Sequence, residues 1–387
     1  MISQRENISQ VTLLVGGDLA PTPSNYSDFS DGDINSIVDD KVLAALRAAD
    51  FRIFNLEVPL TDIRKPIRKD GPNIIAPVLT VKGIKLLDMT IAVLANNHIL
   101  DQDEQGLYQT MEQLTKNEIR YVGAGNDLEN AAKPLIIEKE GLKVGIYACA
   151  ENEFSIARKN RAGANPFDPL ETPDHIADLK SKCDFVVVLH HGGTEHYRYP
   201  SPGLQKVCRK MAEKGADLVI CQHSHCIGAF EKYKEGVIIY GQGNFLFDRN
   251  DNEFWNTGLL IKVALSDKMS LDYIPVQKKG NGIELPDSNV GETILESFRA
   301  RSRQISDPGF VAAEFEKFCD ENGQYYMSVF AGFGKIVRNI DKLLNGLFTK
   351  ILYPWKKISR IQNHVECESQ REIVLTYLRK KMEKKKN

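Results

Sequence analysis

The chain has 387 residues, a formal net charge of −2, 42% hydrophobic residues and 26% charged residues. This composition is that of an ordinary soluble protein and excludes a disordered or fibrous chain. The length predicts a large catalytic domain with a smaller appendage.

Short apolar runs rich in β-branched residues alternate with amphipathic stretches over the first three quarters of the chain. Such alternation predicts an α/β fold with largely parallel central strands. After about Leu285 the pattern becomes helical, so we predict a catalytic domain over residues 8–285 and a helical C-terminal region over 286–387. The predicted strands are Val11–Val15, Phe51–Leu56, Ile91–Leu94, Val144–Ala148, Phe185–Leu189, Leu218–Cys221 and Val237–Tyr240, and the predicted crossover helices are Val38–Ala49, Val81–Met89, Glu104–Leu114, His175–Lys182 and Leu204–Lys214.

Nearly every predicted central strand ends in a residue that can bind a metal or move a proton. In open α/β sheets, ligands bind outside the carboxyl ends of the strands, so these side chains are expected to converge. They are Asp18 after LLVGG, Glu57 after FNL, Asn97 and His98 in ANNH, His190 and His191 after FVVVL, and His223 and His225 in CQHSH.

Carboxylate, amide and imidazole ligands without thiolates suit zinc, manganese or iron. The set is large enough for two ions that share one carboxylate, and Asp18 or Glu57 is the candidate bridge. Two such ions can activate water and stabilise the oxygens of a displacement. His98 is the candidate proton donor and Asp101 can hold its ring. Asn97 is favoured over Asn96 as a ligand because side chains alternate along an extended segment.

Each of these residues also has a structural interpretation. Asp18 can cap a helix, Glu57 can pair with Arg64 or Arg68, and His98 can be a hydrogen-bonded strand end. His191 and His196 can serve only to orient their neighbours. The combination of three histidine motifs after three strands favours a metal site.

The C-terminal region contains an amphipathic stripe with basic residues on its other faces. The interpretation we favour is that the stripe packs onto the parent domain; a basic amphipathic helix on an anionic bilayer is the alternative. The final lysine-rich run is read as a solvated end. The stripe consists of Ile336, Val337, Ile340, Leu343, Leu344, Leu347, Phe348, Ile351 and Leu352.

Seven cysteines without paired spacing indicate neither a disulfide framework nor a zinc ribbon. The N-terminal segment MISQRENISQ lacks the pattern of a signal peptide, and no apolar run reaches the roughly 18 residues of a membrane span. The sequence therefore predicts a cytoplasmic protein, with peripheral contact to a membrane left open.

The motifs, in their order and spacing, resemble the CapA family of bacterial capsule-synthesis proteins, which is associated with poly-γ-glutamate and related to the calcineurin-like metallophosphoesterases. The resemblance covers roughly residues 11–250 and not the helical tail. The matching segments are GGD (Gly16–Asp18), NLEVPLTD (Asn55–Asp62), ANNHILD (Ala95–Asp101), LHHGGTEHYRYPSP (Leu189–Pro202), ADLVICQHSH (Ala216–His225) and IIYGQGNFLFD (Ile238–Asp248).

The resemblance implies a four-layer αββα sandwich with a dinuclear site and His98 as the catalytic acid. Metallophosphoesterases usually carry a histidine two residues after the first aspartate. Here that position is Ala20, which leaves one ion short of a ligand. The histidine loop also carries an extra residue around Gly193 relative to the family pattern. The resemblance therefore separates His190 from His191 poorly as the ligand. The implied metal ligands are Asp18, Glu57, Asn97, His190, His223 and His225.

The leading functional hypothesis is metal-dependent hydrolysis of an amide or phosphoester bond in an anionic polymer or its precursor. The alternatives are a general phosphoesterase and a non-catalytic assembly factor that docks onto capsule-synthesis machinery through its helical tail. Nucleic acid is not an expected partner, because no basic stripe interleaved with aromatic residues lies near the motifs.

Overall fold

The computed structural model describes residues 10–248 and 253–384. The segment before Gln10, which carried the prediction about a signal peptide, and the last lysines, Lys385 and Lys386, lie outside the described residues. The strands are β1 (Val11–Ala20), β2 (Phe51–Leu56), β3 (Ile91–Val93), β4 (Arg120–Val122), β5 (Ala124–Gly125), β6 (Leu135–Lys139), β7 (Leu142–Ala150), β8 (Gly163–Ala164), β9 (Phe185–His191), β10 (Leu218–Gln222), β11 (Phe230–Tyr233), β12 (Gly236–Ile239), β13 (Asn244–Phe247), β14 (Thr257–Leu265), β15 (Met269–Lys279) and β16 (Gly282–Glu284).

Every strand and crossover helix predicted from the sequence overlaps an observed element of the same type, so these predictions are confirmed. The β-branched runs form strands because they are buried on both faces, as central parallel strands are. The helices are α1 (Tyr26–Asp31), α2 (Asp40–Arg47), α3 (Val81–Leu86), α4 (Asp103–Lys116), α5 (Leu128–Ala131), α6 (Glu171–Lys180), α7 (Pro202–Glu213), α8 (Ser288–Gln304), α9 (Phe310–Phe330), α10 (Lys335–Leu343), α11 (Leu347–Leu352), α12 (Trp355–Glu366) and α13 (Glu368–Lys384).

Two mixed sheets form the centre of the fold. The eight-stranded sheet has the order β16-β15-β14-β1-β2-β3-β4, with β13 also paired to β1, and its segment from β1 to β4 is parallel. The six-stranded sheet has the order β11-β12-β10-β9-β7-β6 and is parallel from β12 to β7. The carboxyl ends of β1, β2 and β3 on one sheet and of β9 and β10 on the other are where the predicted site residues lie.

The hydrophobic core consists of two clusters, one between the two sheets and one on the outer face of the six-stranded sheet. One cluster joins the two sheets through residues such as Val15 and Ile53 on one side and Leu189 and Ile220 on the other, and it continues into α2, α3 and α4. A second cluster packs the outer face of the six-stranded sheet against α6 and α7. Helices therefore cover two sheets packed face to face, which confirms the predicted αββα layering.

The chain divides into two compact units, Met1–Val311 and Ala312–Asn387. The first unit extends beyond the Leu285 boundary predicted from the sequence because α8 contributes to its core. Phe298 is buried, with its ring 5.3 Å from that of Phe230 and 5.0 Å from that of Tyr273. The change from strand-like to helical periodicity near Leu285 marks the start of α8, and α8 still belongs to the first unit.

The second unit contains the amphipathic stripe. Most side chains of the stripe are exposed, including Ile336, Leu343 and Ile351. Packing of the stripe onto the parent domain, which the sequence pattern favoured, stays a prediction. None of the described helices combines the length and apolar composition needed to cross a bilayer.

The core role of α8 predicts a large effect of Phe298→Ala. Because removing a buried aromatic ring leaves a cavity, we expect the free energy of unfolding to fall by about 3–5 kcal/mol. Val290→Ala on the same helix, where the side chain is 40% exposed, is the control and should change it by less than about 0.5 kcal/mol. Urea unfolding followed by circular dichroism measures both, and equal small effects would mean that α8 does not belong to the core.

Candidate metal centre

Polar side chains from both sheets converge at the carboxyl ends of the central strands. The eight-stranded sheet supplies Asp18, within the long β1, and Glu57, directly after β2. The backbone N–H of Glu57 donates to the carbonyl oxygen of Leu19 (2.9 Å), which fixes the glutamate beside β1. The six-stranded sheet supplies His191, the last residue of β9, and His223 and His225, which follow β10. The close approach of β1 and β13 requires glycine at position 17, where a Cβ atom would lie 1.9 Å from the carbonyl oxygen of Gly243.

The first group of donor atoms is centred on His191. Its Nε2 lies 3.1 Å from Asn97 Oδ1, 3.1 Å from His223 Nδ1 and 3.5 Å from Glu57 Oε1. Glu57, His191 and His223 offer atoms that all lie within 4.8 Å of one another. Asn97 therefore lies where the sequence predicted it, as a fourth donor beside the histidine pair.

The second group consists of Asp18, Glu57 and His225, whose donor atoms also lie within 4.8 Å of one another. His225 Nδ1 is 3.2 Å from Asp18 Oδ2 and 2.9 Å from Asn244 Oδ1. Ala20, two residues after Asp18, is buried and contributes only a methyl group. Among the described residues, each group thus offers three carboxylate or imidazole donors with one amide oxygen beside them, from Asn97 in the first group and from Asn244 in the second.

Glu57 belongs to both groups. The environment of its side chain shows whether these residues fit a metal. Its side chain is fully buried, and neither carboxylate oxygen has a hydrogen-bond partner among the described residues. Burial, together with the charge of Asp18, raises the pKa of Glu57 well above its usual value. A buried carboxylate without a partner is costly unless a cation compensates it, so the donor set fits divalent ions.

The histidines differ in charge. Burial lowers the pKa of His191 to about 4, and burial together with the neighbouring histidines lowers that of His223 well below its usual value. Both are therefore neutral near pH 7, as a metal ligand must be. Burial also disfavours the charged form of His225, but its hydrogen bond to Asp18 and the charges of Glu57 and Asp18 outweigh burial and raise the pKa of His225 to about 9.

The prediction of His190 as a ligand is corrected by the structure, which places His191 in the centre instead. Alternation along β9 puts Val187, Leu189 and His191 on the face between the sheets. His190 falls on the opposite face, where its Nδ1 lies 3.4 Å from Cys149 Sγ. Because β9 is buried on both faces, the apolar pattern of the run could not reveal which histidine points inward.

His98 and Asp101 form the predicted pair at the edge of this centre. His98 Nδ1 is 2.6 Å from Asp101 Oδ2, and the same oxygen accepts a hydrogen bond from the N–H of Ile74 (2.7 Å). With Nδ1 held by Asp101, Nε2 is the ring nitrogen that can exchange a proton with a substrate. The His98 side chain is 12% exposed, which leaves it open to solvent at one edge.

Sequence analysis missed Lys69, which lies against both His98 and Asp101. Its Nζ contacts Asp101 Oδ1 and lies 3.2 Å from His98 Nδ1, and its side chain is only 4% exposed. The ammonium therefore compensates the fully buried Asp101 and holds the loop that carries it against the proton donor. In the sequence, Lys69 is the last of four basic residues in six positions, Arg64 to Lys69, and nothing there distinguishes it from its exposed neighbours.

Two buried asparagines connect these elements. Asn55 Nδ2 donates to Asp18 Oδ1 (2.7 Å) and lies 3.1 Å from His191 Nδ1, so one amide touches a ligand from each donor group. Asn96 donates to Asn55 Oδ1 (3.1 Å) and accepts from the N–H of His98 (3.1 Å). Such outer contacts fix the orientation of ligands. Asn55 lies two residues before Glu57 and so shares its face, a signal that could have identified it.

The family model for bacterial capsule synthesis protein PGA_cap matches residues 12–249 of this chain, more than half of its length. The chain belongs to this family. All the residues of the metal centre and of the Lys69–Asp101–His98 cluster lie within the matched segment, and the α8 to α13 helices lie outside it.

Two curated relatives carry family names. The "Capsule biosynthesis protein CapA" of Bacillus anthracis is 31% identical over 242 residues, which cover 60% of this chain and 59% of that protein. The "PGA biosynthesis protein CapA" of Bacillus subtilis (strain 168) is 31% identical over 207 residues, covering 52% and 54%. This family member thus spans between half and three fifths of the length of these relatives.

Among solved structures, the NAD nucleotidase of Haemophilus influenzae is similar with a TM-score of 0.42 and 13% identity, covering 82% of this chain and 61% of that one. At this TM-score the similarity carries no conclusion about the site of the family member described here.

An aromatic wall lies on the side of His225. The Trp255 ring stacks on the imidazole of His225, with ring centroids 4.0 Å apart, and its Nε1–H donates to His196 Nε2 (3.0 Å). From the sequence, His191 and His196 could both serve only to orient their neighbours. His196 contacts Trp255, which stacks on His225, whereas His191 is itself one of the donor residues.

The opposite orientations of His190 and His191 predict opposite effects on metal binding in this capsule-synthesis family member. His191→Gln should weaken binding of Mn²⁺ or Zn²⁺ at least about tenfold, because it removes the atom around which the first group converges. His190→Gln should leave the affinity unchanged. Isothermal titration with elemental analysis of the purified chain measures both. Loss of metal in the His190 variant alone would reverse the assignment.

The buried ion pair predicts the effect of Lys69→Met on stability. Removing the ammonium leaves Asp101 charged and uncompensated, so we expect the free energy of unfolding to fall by about 3–5 kcal/mol. Lys69→Met/Asp101→Asn, which removes both charges, should recover most of that loss. Denaturant unfolding compares the variants, and a single variant as stable as the parent would show that Asp101 does not depend on Lys69.

Proposed function

We propose that this chain is a metal-dependent hydrolase of capsule or poly-γ-glutamate synthesis. Its substrate is an anionic polymer or a precursor of one, and the bond cleaved is an amide or a phosphoester. The observation that carries the proposal is Glu57, a fully buried carboxylate without a hydrogen-bond partner among the described residues that belongs to two groups of metal-binding atoms.

The donor groups define how the ions are held. Two divalent ions of manganese, zinc or iron would be held by these nitrogen and oxygen donors, and Glu57 would be shared between the two groups. When bound, they supply Lewis acidity and an activated water. Asn55 orients one ligand of each ion through its amide.

The residues around the ions divide the remaining tasks. Asp101 accepts from His98 Nδ1–H and so directs Nε2 toward the substrate as the proton donor for the leaving group. Lys69 compensates Asp101 and places a positive charge beside the acid.

The substrate class is supported by family membership and by the printed names of the two relatives, which refer to capsule and PGA biosynthesis. In poly-γ-glutamate, an amide bond joins units that each carry a free carboxylate. Hydrolysis of that bond is the activity that combines the metal centre with the family assignment.

A role as an assembly factor is the second candidate. It is favoured by Ala20, which stands where the family resemblance implies a histidine, and by the exposed helices of the second unit. In that role the centre would stabilise the fold or bind a partner without turnover.

The test is turnover by the purified full chain loaded with Mn²⁺ or Zn²⁺, on γ-glutamyl peptides and on a panel of phosphoesters that includes nucleotides. We expect hydrolysis of one class, and we expect His98→Asn to lower kcat by about 10²–10⁴-fold because the proton donor is lost. The metal content of this variant should be unchanged.

Two outcomes would contradict the proposal. One is a fully metal-loaded chain that hydrolyses neither class, which would favour the assembly role. The other is a His98→Asn variant that keeps the full rate, which would remove His98 from the reaction.

A further inference from the structure

The helices α10, α11 and α12 of the second unit expose a series of large apolar side chains, which we call the apolar face. Ile336, Ile340 and Leu343 follow one another on one side of α10 at helical spacing. Leu343 is 83% exposed, Ile336 is 76% exposed and Trp355 at the start of α12 is 78% exposed. The apolar face consists of Ile336, Ile340, Leu343, Leu347, Ile351 and Trp355.

A buried polar contact holds α10 and α11 together. Asp341 is 1% exposed, and its Oδ1 accepts from the backbone N–H of Phe348 (2.7 Å) and of Thr349 (3.3 Å). The Thr349 hydroxyl donates to Asp341 Oδ2. The aspartate thus caps the first turn of α11. This polar cluster fixes α10 against α11, and the side chains of the apolar face remain exposed beside it.

The charges around the apolar face are almost all positive. Across α10–α12, from residue 335 to residue 366, the chain has seven lysines and arginines and two acidic residues, Asp341, whose carboxylate is buried, and Glu366 at the end of α12. The segment therefore carries a clear excess of positive charge. The basic residues are Lys335, Arg338, Lys342, Lys350, Lys356, Lys357 and Arg360.

We propose that α10–α12 form a docking surface for an anionic lipid bilayer and lie in the plane of its interface. Large contiguous apolar patches mark interaction sites on soluble proteins. Basic residues beside apolar ones favour an anionic bilayer, because the cations attract its headgroups while the apolar side chains enter the acyl boundary. Trp355 is of the residue type enriched at that depth. This role is independent of hydrolysis at the metal centre.

The experiment is flotation of the full chain with vesicles of phosphatidylcholine alone and of phosphatidylcholine with phosphatidylglycerol. We expect flotation with the anionic vesicles only, and we expect release at high salt because the attraction is screened. Ile336→Ser/Leu343→Ser/Ile351→Ser should lower the bound fraction about tenfold or more, since three inserting side chains are lost. These residues are exposed, so the variant should fold.

The matched control is Leu79→Ser/Leu170→Ser, which removes apolar side chains that are 67% and 78% exposed in the first unit and should leave flotation unchanged. A second variant, Lys342→Gln/Lys350→Gln/Lys356→Gln, should lose flotation while keeping the apolar face. Equal binding to neutral vesicles, or no flotation at all, would overturn the proposal. A dimer in light scattering that the triple serine variant abolishes would assign the face to a second copy of the chain instead.

Discussion

Glu57 sits between two packed sheets in a position where its charge is disfavoured by burial and by the neighbouring Asp18. Its backbone N–H donates to the carbonyl oxygen of Leu19, which fixes the main chain of Glu57 beside β1. An uncompensated charge in such a place costs several kcal/mol. The surrounding atoms are nitrogen and oxygen donors from both sheets, and a bound cation is the partner that this arrangement lacks. The candidate metal centre is built around this carboxylate, which is the one residue that both donor groups share.

Much of this arrangement could be predicted from the sequence, because parallel strands are short β-branched runs and their carboxyl ends share an edge. Asp18, Glu57, Asn97, His223 and His225 were identified on that basis, and all five lie in the centre. The choice between His190 and His191 was wrong. It required knowledge of which face of β9 points inward, and that face is invisible when both are apolar. Lys69 could not be found because its partner, Asp101, is 32 residues away and only the fold brings them together.

The site combines two kinds of electrostatic environment. The donor groups are buried. The first contains two neutral histidines, His191 and His223, whereas the second pairs His225 with Asp18. The cluster of His98, Asp101 and Lys69 is internally compensated and reaches the surface through a partly exposed imidazole. Asn55 and Asn96 connect the donor groups to this cluster through hydrogen bonds.

We propose that Glu57 is shared by two ions, and anomalous X-ray diffraction from crystals of the full chain grown with Mn²⁺ tests this proposal most directly. We expect two anomalous peaks, one on each side of the Glu57 carboxylate, with one beside His191 and His223 and the other beside Asp18 and His225. A single peak that does not contact Glu57, or no peak within the two donor groups, would contradict it.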